Sequence, residues 1–119
     1  MRELTRVWPV FLPQTLSPWR PLVDVYRTRE GWLLKFDVAG VKLEDITVSV
    51  RGRRVSVTGC RRDTTVEEGF SHYIMEISYN RFERTVEMPS DLEAARISLE
   101  ARDGILYVRM VTGGNENVR

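Results

Sequence analysis

Cys60 and His72 are the only residues of their kinds in the chain, and a search for chemistry begins with them. A thiol attacks as the thiolate, which needs a base or a cation to stabilise it. No base is marked beside Cys60, which closes an alternating apolar run as an ordinary structural thiol would. One His and one Cys do not compose a usual zinc site. The paired carboxylates Glu44-Asp45 and Glu67-Glu68 could share acid–base work. They fall on predicted turns and loops, where carboxylates are solvated. The eight glycines are scattered, so there is no glycine-rich cradle for a phosphate. Trp32, Tyr73, Tyr79 and Phe82 could stack nucleic-acid bases. A formal net charge of +1 leaves them without the basic groove such binding uses. The residues thus describe no reaction centre, metal site or cofactor site, and they point to a protein that works through its surface.

The elements that carry these residues are short strands. From residue 33 to residue 59 the chain reads LLKFDVAGVKLEDITVSVRGRRVSVTG. Leu34, Phe36 and Val38 share one parity; so do Ile46, Val48 and Val50; so do Val55, Val57 and Gly59. A period of two sends successive side chains to opposite faces, so each run predicts a half-buried strand. Further strands are predicted over residues 23–26, 32–38 and 82–88, and around Ile97–Ala101 and Leu106–Met110. Asp103-Gly104 between the last two is a strong hairpin signal. Residues 90–95 read as a single helical turn capped by Ser90 or Asp91. Residues 70–78 predict one more strand, with Tyr73, Ile74 and Met75 consecutive and large. A strand apolar on both faces asks for cover on both, such as a second subunit. Arg84 shares its parity with Phe82 and Val86, and a charge placed there needs a partner. Seven or eight short strands without a long helix predict an all-β, immunoglobulin-like sandwich in one domain.

Four of the five prolines fall within residues 1–21, so a regular element through that arm is not expected. The arm is nonetheless apolar, with Trp8, Phe11 and Trp19 among its large residues. Such a segment either covers its own body or offers a sticky surface. A lone cysteine cannot form an internal disulfide, which suits a reducing, cytoplasmic setting. No run reaches the ~20 apolar residues of a membrane span. The first residues lack the continuous apolar stretch of a signal peptide.

Several of these segments resemble the small heat shock proteins, whose shared body is the α-crystallin domain. Ala39-Gly40-Val41-Lys42-Leu43-Glu44-Asp45-Ile46 is similar to that family's turn before a strand. Glu67-Glu68-Gly69-Phe70 followed by Glu76-Ile77-Ser78-Tyr79 resembles its loop and exchanged strand. Phe82-x-Arg84 with Met88-Pro89 resembles the strand bearing its arginine, and Asp103-Gly104-Ile105-Leu106 its last hairpin. Four motifs in order and spacing make the resemblance specific. It implies an ATP-independent holdase that captures partly unfolded clients and needs no cofactor. It also implies a homodimer, in which residues 71–77 of one subunit pair with residues 23–26 of the other. The interface would then hold Val23, Val25, Tyr26, Tyr73, Ile74, Met75, Glu76 and Arg84. Arg84 would meet a carboxylate, from Glu76 or the loop before it. Clients would bind through Trp8, Phe11 and Trp19 of the arm, and through Val48 and Leu99 beside a groove between two strands. The resemblance divides the chain into an apolar arm (1–21), an α-crystallin domain (22–111) and a short flexible tail (112–119). That tail lacks the family's Ile-x-Ile motif, so a dimer or small assembly is expected. A monomeric adaptor sandwich docking on a larger protein is the alternative, and residues 67–82 separate the two readings.

Overall fold

The computed structural model of the chain describes residues 19–65 and 67–112. Seven strands are present: β1 (Val23–Arg27), β2 (Gly31–Asp37), β3 (Ile46–Arg51), β4 (Arg54–Cys60), β5 (Arg81–Glu87), β6 (Arg96–Arg102) and β7 (Ile105–Val111). They form an antiparallel four-stranded sheet, order β1-β2-β7-β6, and a three-stranded sheet, order β3-β4-β5.

Parity in the sequence becomes face in the structure. Leu34, Phe36, Leu106, Val108 and Met110 of the larger sheet are fully buried, and so are Val55, Val57 and Phe82 of the smaller. Val38, Met88 and Leu92 complete this core from the connections. Registers carry the pattern across strands: Phe36 lies opposite Leu106, and Leu34 opposite Val108. The opposite face of the smaller sheet is polar. Ser49 lies opposite Ser56, and Ser56 lies opposite Thr85, to whose hydroxyl it is hydrogen-bonded at 3.0 Å.

The connections follow from local chemistry. Asp103 (φ 53°) and Gly104 (φ 80°) both occupy left-handed backbone, as the tightest hairpins require. Leu43–Asp45 forms one 3₁₀ turn before β3. The helical turn expected over 90–95 is absent. Asp91 Oδ1 instead accepts the Glu93 N–H at 2.8 Å, an Asx turn, and Ala95 N donates to Leu92 O at 3.1 Å. Leu92 N and Met88 N are claimed by the Gly52 and Arg53 carbonyls at 2.8 and 2.7 Å. Those two bonds tie the segment to the β3–β4 hairpin, and it closes one turn in place of a helix.

The strand expected over 70–78 is also absent. These residues run without a ladder partner, with Tyr73 94% exposed and Ile74 68% exposed. A strand is stabilised by its neighbour's hydrogen bonds, and within one chain none lies beside this segment. The apolar pattern is present while the partner that would make it a strand is not.

Gly59 is the tightest point of the smaller sheet. A side-chain carbon there would meet the Asp45 carbonyl and lie 2.6 Å from the Phe82 ring. Gly59→Ala is therefore expected to lower the unfolding free energy by about 1–3 kcal/mol, as overpacking does. The reading is a lower urea midpoint at unchanged slope; an unchanged midpoint would contradict this packing.

Candidate functional site

Three surfaces follow from the way the strands end. The first is the outer edge of β1, which pairs only with β2. Val23 and Val25 lie opposite Phe36 and Leu34, so they face the core side of the sheet. Val23 packs against the core, whereas Val25 stays 42% exposed. Tyr26 lies opposite Leu33 on the outward face. Lys35 Nζ lies 5.2 Å from the Tyr26 ring centroid and donates to its hydroxyl at 3.3 Å. That hydrogen bond raises the Lys35 amine above its ordinary value. An unpaired edge of this kind is a template for another strand.

The second surface is the segment 70–78. Phe70, Tyr73, Ile74 and Ile77 are all exposed and Met75 is half-buried. Glu76 is exposed beside them. Of the expected interface residues, the structure thus sets two groups apart within one chain. Val23, Val25 and Tyr26 sit on an open edge, and Tyr73, Ile74, Met75 and Glu76 on an unpaired ribbon.

Arg84 belongs to neither group by contact. It lies opposite Val57 on the core side of β5 and is half-buried. Its Nη1 donates to Pro21 O at 2.9 Å, but its Nε is buried with no hydrogen-bond partner. The described residues of one chain give Arg84 no ion pair, so the carboxylate expected beside it is not supplied from within. A buried donor left unsatisfied costs about 1–3 kcal/mol, more when charged.

The third surface lies on β3 and β6, each an edge strand of its own sheet among the described residues. Ile97 and Leu99 lie opposite buried Met110 and Val108, so they face inward, yet each is 40% exposed. Val48 and Val50 on β3 are half-buried against the core. Parity alone does not settle the face of Val48 and Leu99; the registers place both on the core side, at the open rim.

Of the expected arm residues, Trp8 and Phe11 lie outside the described residues. Trp19 is held firmly. It forms a parallel bridge with Phe82, donating to Arg81 O at 2.8 Å and accepting from Glu83 N at 3.0 Å. Its ring meets Phe82 edge-on at 5.3 Å, and the Arg61 guanidinium stacks on it at 3.8 Å. Arg61 had no mark in the sequence beyond its place after a strand. A cleft of about 270 Å³ near the same loop is lined by Gly40, Lys42, Glu44, Asp45, Arg62 and Thr64 and carries the Arg62–Asp45 ion pair at 3.3 Å. No helix among the described residues is long and apolar enough to cross a membrane.

Open strand edges and an apolar rim on a two-sheet sandwich are what the domain presents to its surroundings. Comparison with known proteins gives its kind. The family model described as "Hsp20/alpha crystallin family" matches residues 24–118. The chain belongs to this family. It is 33% identical over 90 residues to spore protein SP21 of Stigmatella aurantiaca, covering 76% of this chain and 53% of that protein. Among solved structures, HSP18.5 from E. histolytica is 26% identical with a TM-score of 0.66, covering 83% of this chain and 93% of that one. The hspA structure from Xanthomonas axonopodis is 27% identical with a TM-score of 0.63, covering 81% and 96%. The chain spans about half the length of the curated relatives it matches. The fold is an α-crystallin sandwich.

The rim and the core should separate in a stability measurement. Leu99→Ser is expected to cost less than about 1 kcal/mol, whereas Leu106→Ala costs about 2–5 kcal/mol. Equal losses in urea titrations would show that Leu99 is core and the groove closed.

Proposed function

We propose that this protein is an ATP-independent holdase, not an enzyme, which binds partly unfolded proteins in the cytoplasm and keeps them from aggregating. The observation that carries this reading is the open rim: Ile97 and Leu99 face the interior of the sandwich and yet remain 40% exposed. Unfolding chains expose apolar side chains and unpaired strand edges. A rim of inward-facing apolar residues beside a free edge offers both kinds of contact at once. Trp8, Phe11 and Trp19 of the arm are proposed as further client contacts, with Val48 and Leu99 at the groove. Membership of the Hsp20/alpha crystallin family supports the same activity.

The working unit in this reading is a homodimer made by strand exchange. Residues 71–77 of one subunit pair with residues 23–26 of the other, which covers Tyr73, Ile74 and Met75 and occupies the β1 edge. The unpaired ribbon and the unpaired edge in one chain support it, since each supplies what the other lacks. An adaptor sandwich docking as a monomer has no use for that ribbon. Arg84, whose Nε has no partner in one chain, takes an acceptor from the assembled dimer.

Two measurements test the proposal. Arg84→Gly should weaken the dimer; with a buried pair worth about 3–5 kcal/mol to break, dissociation should appear at micromolar concentration in sedimentation. An unchanged dimer at that concentration would remove Arg84 from the interface. The chain without added nucleotide should suppress aggregation of a heat-labile client at about stoichiometric amounts, and no protection would overturn the holdase reading. Deleting residues 1–21 should abolish most of the protection if the arm captures clients; protection left intact moves capture to the groove.

A further inference from the structure

Arg61 stands at the junction of three segments that the strand order does not otherwise join. It follows β4 directly and opens the long connection to β5. Its own N–H donates to Asn80 O at 3.0 Å, where that connection ends. Its side chain is half-buried. Nε donates to Ser78 O at 2.9 Å, and Nη1 donates to Ala39 O at 3.0 Å. The flat of the guanidinium lies 3.8 Å from the Trp19 ring centroid. Its stem crosses Gly40, where a side-chain carbon would stand 3.3 Å from Cδ. Only arginine fits all of this: its fork donates along two in-plane directions while its face stays free to stack on an indole.

The two ends held here are the root of the arm and the stem of the 62–79 connection. Trp19 is the first described residue of the arm side, and it reaches the body through one parallel bridge to β5. Pro21 has no N–H with which to extend that ladder. Pro21 is buried and its carbonyl accepts from Arg84 Nη1 at 2.9 Å, while Trp19 itself is held by a single bridge, the Phe82 contact and the Arg61 stack. The stem's hold rests on the Arg61–Asn80 backbone bond and the Arg61–Ser78 bond. One side chain belongs to both sets.

The geometry points to Arg61 as a coupling latch, which makes the docking of Trp19 and the closure of the loop stem one cooperative equilibrium. Drawing Ser78 away removes one of the two acceptors that fix the plane of the guanidinium, and the indole loses its stacking partner. Releasing Trp19 uncovers the guanidinium to water and weakens its bonds to both carbonyls. The coupling acts in either direction, as any linkage between two equilibria must. It holds whether or not the loop pairs with a second copy, so it stands apart from the dimer proposal.

Hydrogen exchange on the full chain tests it, because each event has its own amide reporter. The Glu83 N–H, bonded to Trp19 O, reports the docked arm root. The Arg61 N–H, bonded to Asn80 O, reports the closed stem. Trp19→Ala touches neither stem bond, yet it should lower the protection of the Arg61 amide about 5-fold or more, the lower end of ordinary coupling. Arg61→Gln should lower the protection of the Glu83 amide likewise. Arg61→Lys, which keeps the charge without the fork, should behave as Arg61→Gln does. Amides of Leu34 and Val108 in the core should keep their protection in all three variants. If each variant loosens only its own reporter, or if lysine restores the arm reporter, the latch is overturned. If an Arg61 variant also loosens the core amides, Trp19→Ala alone decides: an unchanged Arg61 amide refutes the coupling.

Discussion

The four-stranded sheet is one strand wider than the sheet it covers, and most of what the surface can do follows from that inequality. Two apolar sheet faces packed together bury residues only where they overlap. Leu34, Phe36, Val108 and Met110 lie within the overlap and are sealed. Ile97 and Leu99 continue the same face on the edge strand β6, where each stays 40% exposed. At the other side β1 is likewise an edge strand. The domain is stable through its middle strands and adhesive at its flanks, with the same alternating pattern responsible for both.

Charge placement refines this division. The exposed ion pairs Arg54–Glu87 and Arg102–Glu100, at 3.3 and 2.9 Å, sit in water and contribute little. Arg61 and Arg84 differ because the sandwich partly encloses them. Arg61 donates to two carbonyls and stacks on an indole, while Arg84 has Pro21 O and a buried Nε without a partner. The first secures the chain's own segments; the second is left wanting within a single chain.

Most of the sandwich could be read from alternation, since a period of two states both the element and its buried face. Val55, Val57, Phe82 and Leu106 are core in both descriptions. The Asp103-Gly104 hairpin was equally plain, because few residue pairs accept two left-handed positions. The reading failed where tertiary ties outrank local preference. Residues 90–95 have the composition of a helical turn, but the Gly52 carbonyl takes the Leu92 N–H and the Arg53 carbonyl that of Met88 just before the segment. Residues 70–78 carry a strand's pattern but lack a neighbour in the chain. The face of Val48 and Leu99 needed the registers, since parity fixes which residues share a side and not which side is inward. The role of Arg61 left no trace in the sequence because its partners are backbone carbonyls, which every residue has.

The bridge at Trp19 is parallel where every ladder in the two sheets is antiparallel. Its direction means that the chain from Trp19 onward runs the same way as β5 from Phe82. The free edge of β5 is thus occupied for one residue and then released, because Pro21 brings no N–H to continue the pairing.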